Sequence, residues 1–525
     1  MTRYRVDPDS LRQLVDDLPR GQSEHHIGQL PANYFADPSD IIATESLRYE
    51  VEENKASKLF MGVVGGRVMT GKRLTDGRVP RWVEGGVPLG IGSDQSHLLL
   101  AGSRGGKGIS MLLNSIIGLP ATTSFFALDP KGQNARISAG FRSSIQDIKL
   151  LDSFNASGIE SEANRLVINP IEEMTGVTLD QLAANAMLVA DSLVEEAASG
   201  NHKHWEETAK EMIGALCAHV ATDSKYEGRR DLVTVWELAS RLSEPDPNDP
   251  HAFEIETEML RNDSAAGFVR SGARAFYSRT SDEFSSVSSS VRRYLSFIGI
   301  EAVRKNLRGP RTQLRRLKSS SLGIYYCMPA MHDHALRGFK RLVMQSCLGA
   351  CEAEATQFGA QTVFFLDEFH TLGRMNVMET AIAQFAGIGV KLVIVLQDLS
   401  QLKKLYPKSF ETFVGNCGSI QAFSLNDDTT LSYLSKRMGE TVAVSHSVNR
   451  PGRDQVIGDG ASGVSFAVTN TPLMTPSEIE LFFARDDSQL RQLLLRPGYR
   501  PMILQRHFVY KSPYFARKMN WEMQS

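Results

Sequence analysis

Residues 362–366, TVFFL, are followed at once by two acids, Asp367 and Glu368. Apolar residues in unbroken succession, without the alternation of a half-solvated strand, belong to a strand covered on both faces. Sheets made of such strands are parallel and carry helices on both sides. The same texture recurs as HLLLAG (97–102), TSFFALDP (123–130), IKLLDSF (148–154), SLGIYYCMP (321–329), KLVIVLQD (391–398) and GSIQAFSLN (418–426), with helical stretches between. The fold class that follows is α/β with a parallel-rich central sheet.

Between about Thr178 and Asn306 the strand texture stops. LDQLAANAMLVADSLVEEAA and HWEETAKEMIGALCAHV carry apolar residues at helical spacing, and Trp205, Ala209, Met212, Ile213 and Leu216 fall on one face. Leu232–Leu242, Ala252–Leu260 and Phe284–Ile298 continue the pattern, with the loop SEPDPNDP (243–250) between two of them. The expected organisation is a polar region at 1–80 and a first half of the sheet domain at 81–177. An all-α insertion at 178–306 and the second half of the sheet domain at 307–525 complete it. Within 1–80 the pattern predicts a short helix at Ser10–Leu18 and a mixed strand at Lys58–Val68.

A strand buried on both faces has no folding reason to end in two carboxylates. Phosphoryl hydrolysis supplies one: the first acid holds Mg²⁺, directly or through water, and the second polarises the attacking water. HLLLAGSRGGKGIS (97–110) has the matching features of a phosphate loop. Gly102, Gly105 and Gly106 let backbone N–H groups curl round an anion, a helix starts behind them, and Lys107 brings charge to the terminal phosphates. Two positions depart from G-x-x-x-x-G-K-[ST]: Ala101 replaces the first glycine, and Gly108 replaces the hydroxyl residue. Gln397, at the tip of a third buried run, suits contact with the γ-phosphate or its water.

Composition narrows the setting. The 525 residues carry a net charge of −2, so a nucleic-acid partner must be met by a local patch or a pore. One dense basic stretch, VRKNLRGPRTQLRRLK (303–318), places Arg304, Lys305, Arg308, Arg311, Arg315, Arg316 and Lys318 for phosphate contact or as a solvated helix face. Five cysteines make no disulfide framework and fit a reducing compartment, with Cys347 and Cys351 read as buried small hydrophobes. No window reaches the ~18 uninterrupted apolar residues of a membrane helix.

The segments AGSRGGKGIS, ALDPKGQ, VINP, HWEETAKEMI, FFLDEFHTLGRM, VLQDLSQL, NCGSIQAFSLND and PLMTPSEIE occur in this order. Together they resemble the coupling proteins of conjugation and type IV secretion, the TraG/TraD type within the FtsK/HerA group of motor ATPases. The resemblance covers about Val87 to Phe515. Small residues before Gly-Lys-Gly are common in that family, which accounts for Gly108.

The resemblance implies a RecA-like P-loop NTPase core with an inserted all-α domain, ATP and Mg²⁺ as cofactors, and a homo-oligomeric ring, typically a hexamer. It implies nucleotide binding by Gly102, Ser103, Arg104, Gly105, Gly106, Lys107, Gly108 and Ile109. Lys107 would contact the β- and γ-phosphates, Asp367 would serve Mg²⁺, Glu368 would activate water and Gln397 would sense the γ-phosphate. Arg374 and Arg437 are candidates for an arginine acting on a neighbouring subunit's site. The implied partners are single- or double-stranded DNA or a relaxase–DNA complex, and a secretion channel or membrane adaptor. Coupling proteins typically begin with two membrane helices, so the expectation here is a cytoplasmic chain recruited to the inner membrane by a partner. Two other functions stay open: a HerA/FtsK-like DNA-translocating ATPase without a secretion channel, and an ATP-dependent assembly scaffold.

Overall fold

The unbroken apolar runs are strands buried along their length, and further strands lie where the sequence pattern is weaker. The structure, a computed structural model, describes residues 33–519 apart from 76, 78, 93–94, 176, 196–201, 243–253, 355–360 and 449–463. The helix expected at Ser10–Leu18 and the loop 243–250 lie outside the described residues. Among the described residues the strands are β1 (Leu59–Thr70), β2 (Arg81–Ile91), β3 (Ser96–Ala101), β4 (Ser124–Leu128), β5 (Asp147–Leu151), β6 (Leu322–Tyr326) and β7 (Thr362–Leu366). They continue with β8 (Val390–Leu396), β9 (Cys417–Phe423), β10 (Glu440–Val448), β11 (Val464–Pro472), β12 (Arg491–Leu495) and β13 (Met502–Gln505). The chain divides into two compact units. One holds residues up to 120, 393–407 and 414 onward, and the other holds 121–392 and 408–413.

In the second unit β7, β4, β6 and β5 pair in that order, all parallel. Phe126 stacks on Phe364 across β4 and β7 with ring centroids 5.5 Å apart, and Phe125 meets Tyr325 edge-on at 5.1 Å. Such pairs add about 0.5–1.5 kcal/mol each to the burial of the rings. From Pro170 to Arg304 the described residues of this unit form helices and no strand. The 21-residue helix His202–Thr222 runs through their middle, with Ala209, Met212, Ile213 and Leu216 buried and Trp205 partly exposed. Cys347 and Cys351, on the helix Arg337–Ala353, are buried, and burial raises both thiol pKa values, that of Cys351 to about 12.

The first unit departs from an all-parallel sheet. β3 pairs in parallel with β9 on one side and with the end of β8 on the other. Beyond β9 the order continues as β12, β13, β1 and β2, each pair antiparallel. A bulge at Phe60/Gly62 interrupts the β1–β2 ladder, and Gly62 takes φ 129°, a conformation open to glycine. The Met61 carbonyl that the bulge turns out of register is met by buried amides. Gln492 Nε2 donates to it at 2.5 Å and Gln421 Nε2 at 3.2 Å, while Gln421 also donates to Gln492 Oε1 at 2.7 Å. Gln505 exchanges two bonds with the Gly66 backbone at 2.9 and 3.1 Å. These amides are polar groups in a closed interior, acceptable only because they are paired.

No helix among the described residues is long and apolar enough to cross a membrane.

Two expectations follow from these buried polar groups. Gln492→Leu should lower unfolding stability by about 1–3 kcal/mol, because the Met61 carbonyl and Gln421 lose partners; an unchanged urea midpoint would contradict the network. In the helical part, His219 is buried, and burial lowers its pKa below the usual 6.5 against the pull of Asp223 and Glu258. Its Nδ1 accepts from the Asn262 amide at 3.0 Å, which requires the neutral ring. A depressed folded-state pKa means that stability is present above 6.5 and is lost as pH falls below it. His219→Asn should therefore flatten the dependence of the urea midpoint between pH 7.5 and 5.5.

Candidate functional site: a phosphate loop and an acidic strand tip

The loop after β3 is shaped by what surrounds it. The Gly102 N–H donates to the Ser424 carbonyl at 3.2 Å, and a Cβ on Gly102 would lie 2.2 Å from that oxygen. A Cβ on Gly105 would sit 3.0 Å from both the Gly102 carbonyl and the Ser424 side chain, and Gly106 takes φ 92°. Arg104 is also left-handed, at φ 59°. The loop then enters a helical segment that begins as a wide turn, Gly108–Leu112, with Lys107 at its N-cap, and tightens into the α-helix Leu113–Gly118. Ile109 is half-buried, and Ser110 is buried at 3% exposure. Ser103 Oγ donates to Gln397 Oε1 at 3.1 Å. Two residues nearly 300 positions apart, both expected from sequence to serve a nucleotide, are thus brought together.

Behind the loop stands a residue that the sequence reading passed over. Arg506, just past β13, is 1% exposed. Its Nη1 donates to the Gly105 carbonyl at 3.2 Å and to Ser424 Oγ at 3.4 Å, and its Nη2 donates to the carbonyls of Ala484 and Arg485 at 3.2 and 3.1 Å. Burial pulls its pKa down to about 10, with Asp487 and Asp486 opposing. Asn114, one turn into the helix, donates to the His507 carbonyl at 2.7 Å. The planar fork of a guanidinium suits this set of divergent acceptors, and a lysine does not. An isolated arginine in ILQRHF gives no sequence signal, because its partners lie far away along the chain.

In the second unit, β7 delivers the two acids. Glu368 occupies the left-handed region at φ 55°, where a non-glycine residue is strained by about 1–2 kcal/mol. Its N–H donates to Asp367 Oδ1 at 3.1 Å, and its Oε2 lies 3.6 Å from His370 Nδ1. A 3-10 turn, Phe369–Leu372, follows, capped by Gly373 at φ 70°. At the tip of β4, Asp129 is buried and accepts from the Ala135 N–H at 2.9 Å at the start of the helix Gln133–Ser143. Burial raises its pKa to about 7, with the charge of Asp367 adding to the rise. The ALDPKGQ segment owes its glycine to space, since a Cβ on Gly132 would lie 2.4 Å from the Ser157 amide nitrogen. Asp367 and Glu368 are hard oxygen donors of the kind that Mg²⁺ takes one or two at a time beside phosphate oxygens, and among the described residues no group of three or more His, Cys, Asp or Glu is placed to hold a metal ion by itself.

The other sequence candidates fall out differently. Arg374 lies 3.6 Å from Glu379, and Arg437 is exposed in the last turn of the helix Asp428–Met438. The basic stretch 303–318 is largely neutralised within the fold. Arg304 pairs with Glu301, Arg308 with Asp231 and Glu237, Arg311 with Glu172 and Glu173, Arg315 with Glu354 and Arg316 with Asp147. Lys318 is buried at 2% exposure. Apart from Glu301, which shares a helix with Arg304, their acids sit on other segments, so charge density along the sequence overstated what the surface offers a polyanion.

The clamp on the loop leads to a direct expectation. Arg506→Lys should weaken binding of a fluorescent ATP analogue about ten-fold or more, or ~1.4 kcal/mol and upward. Titration curves that superimpose on the wild type would remove Arg506 from the site.

The family model for type IV secretory system conjugative DNA transfer matches residues 51–524. The conjugal transfer protein TraG of Escherichia coli is 24% identical over 74% of this chain and 61% of its own length. Protein VirD4 of Agrobacterium fabrum is 21% identical over 83% of this chain and 62% of its own length. The chain thus spans about three fifths of the length of these curated relatives. Among solved structures, the bacterial conjugative coupling protein TrwBdeltaN70 superposes with a TM-score of 0.57 at 14% identity, covering 82% of this chain and 90% of that one. TrwB in complex with ADP and Mg²⁺ gives 0.56 at 14% identity, with 81% and 88% covered. The chain belongs to the type IV secretory system conjugative DNA-transfer family.

Proposed function

We propose that this protein is an ATP-hydrolysing coupling protein that recruits DNA or a nucleoprotein and drives its transfer in conjugation or type IV secretion. The observation that carries the ATP-binding part of this reading is the 3.1 Å bond from Ser103 to Gln397, which ties the glycine loop to the polar tip of a buried strand. Family membership supports the transfer part, and the solved complex of TrwB with ADP and Mg²⁺ supports a nucleotide in this fold.

Each residue has a task in this reading. The loop Gly102–Ile109 presents backbone N–H groups to the phosphates, and Lys107 brings a positive charge to the β- and γ-oxygens. Asp367 would hold Mg²⁺, which when bound would neutralise charge on the phosphates. Glu368 accepts a proton from the attacking water as general base. Gln397, its amide oxygen engaged by Ser103, senses the γ-phosphate from the strand tip. The assembly would be a homo-oligomeric ring, with docking at the membrane provided by a partner.

Lys107→Ala should abolish turnover by loss of nucleotide affinity. Glu368→Gln should leave affinity intact and reduce turnover about 10²–10⁴-fold. Steady-state phosphate release and nucleotide titration separate the two effects. Turnover by Glu368→Gln at the wild-type rate would sink the catalytic assignment. In cells, replacing the wild-type gene by Glu368→Gln should abolish plasmid transfer while the protein is still produced.

A further inference from the structure

The chain turns shortly after β13, and the turn brings two aromatic rings to the edge of the glycine loop. A Cβ on Gly106 would lie 3.3 Å from Phe508 Cε1 and 4.0 Å from its Cζ, so that ring abuts the loop by its edge. Phe508 is half-buried, and Tyr510 stacks on it with ring centroids 5.7 Å apart and the planes 20° from parallel. Tyr510 is 43% exposed, while Val509 between the two rings is buried. The middle residue thus anchors the turn, and the rings on either side of it stay together at the surface.

The mounting is fixed at both ends. Before the rings, Arg506 holds the Gly105 carbonyl, and the His507 carbonyl accepts from Asn114. After them, the Lys511 N–H donates to the Phe508 carbonyl at 2.9 Å, and Lys511 Nζ lies over the Trp82 ring of β2 at 4.2 Å. The 3-10 turn Val509–Lys511 packs against both the wide turn Gly108–Leu112 and β2. The backbone that latches the loop therefore also sets where the rings stand beside it.

Folding by itself calls for neither ring to remain in water. A single exposed aromatic is ordinary on a surface. A second ring stacked outside the first leaves apolar area in solvent that burial elsewhere would have made stabilising. A nucleobase covers that area. Every base has a π-face, and stacking on an aromatic side chain holds it without hydrogen bonds to its edge. In a nucleoside triphosphate one ribose separates the base from the phosphates, so rings that abut a phosphate loop stand within a nucleotide's length of it. Rings fixed beforehand also lose little freedom when a ligand arrives, which favours the complex.

We propose that Phe508 and Tyr510 form the platform on which the base of ATP stacks while its phosphates lie in the glycine loop. This rests on the proposed function and names the residues that meet the nucleoside part of the same ligand. Lys107 and the loop N–H groups supply the share of binding that depends on the phosphates. The rings supply a share that vanishes when the base is removed.

The test is calorimetric titration of the full chain, in the presence of Mg²⁺, with ATP and with inorganic tripolyphosphate. Wild type should bind ATP about ten-fold or more tighter than tripolyphosphate. Phe508→Leu and Tyr510→Ser should each weaken ATP about ten-fold while tripolyphosphate stays within about two-fold of wild type. Tyr510→Ser alters an exposed side chain and keeps the test usable if Phe508→Leu misfolds. Phe508→Trp retains a flat ring and should retain ATP affinity, with an indole emission that falls on adding ATP and not on adding tripolyphosphate. Equal affinity of wild type for the two ligands would overturn the platform and leave the phosphate loop standing. So would undiminished ATP affinity in both variants, or an equal loss for both ligands, which marks rings that only prop the loop. If wild type binds no ATP, the function reading falls, and this inference with it.

Discussion

A strand buried on both faces carries ionisable groups most readily at its ends, and the residues proposed for nucleotide chemistry obey that constraint. β3 ends in Gly102, β7 in Asp367 and Glu368 and β8 in Gln397, each just past the last buried residue, and β4 ends in Asp129, which is itself buried. β9 ends in Ser424, whose carbonyl fixes the start of the glycine loop. The strands supply rigidity and leave the reactive groups nowhere else to go. Left-handed backbone recurs at these tips, at Arg104, Glu368 and Ser424, because the chain must turn sharply out of the sheet while keeping its side chains in place.

The sequence was informative wherever structure follows from neighbours along the chain. TVFFL had to be a covered strand, and HWEETAKEMIGALCAHV had to be a helix, although the structure buries that helix on every side from Met212 onward and not on one face alone. The two acids at 367 and 368 stood out because nothing local explains them. Glycines 102, 105 and 106 could be read as a loop by their spacing alone, and the structure adds the collisions that make two of them necessary.

Legibility failed where partners are remote. β12 and β13 are short and pair antiparallel with β9 and β1, strands far away along the chain, so no βα rhythm announces them. Arg506 has the same difficulty, since its acceptors Gly105, Ser424 and the pair Ala484 and Arg485 belong to three separate stretches. The basic run at 303–318 misled in the opposite sense. Arg316 finds Asp147, and Arg308 finds Asp231, so charges that look unopposed in sequence are opposed in space. Composition counts charges, whereas a fold decides which of them water or a ligand can still meet.

The reliance of the glycine loop on Arg506 also sets an order of events during synthesis. A chain made from its N-terminus has the residues of the loop long before the guanidinium that holds the Gly105 carbonyl. The Asn114–His507 bond and the pairing of β1 with β13 are late for the same reason. A ribosome-bound fragment thus carries the residues of the glycine loop without its latch. The loop after β3 takes its final shape only once residues some 401 positions further along have been made.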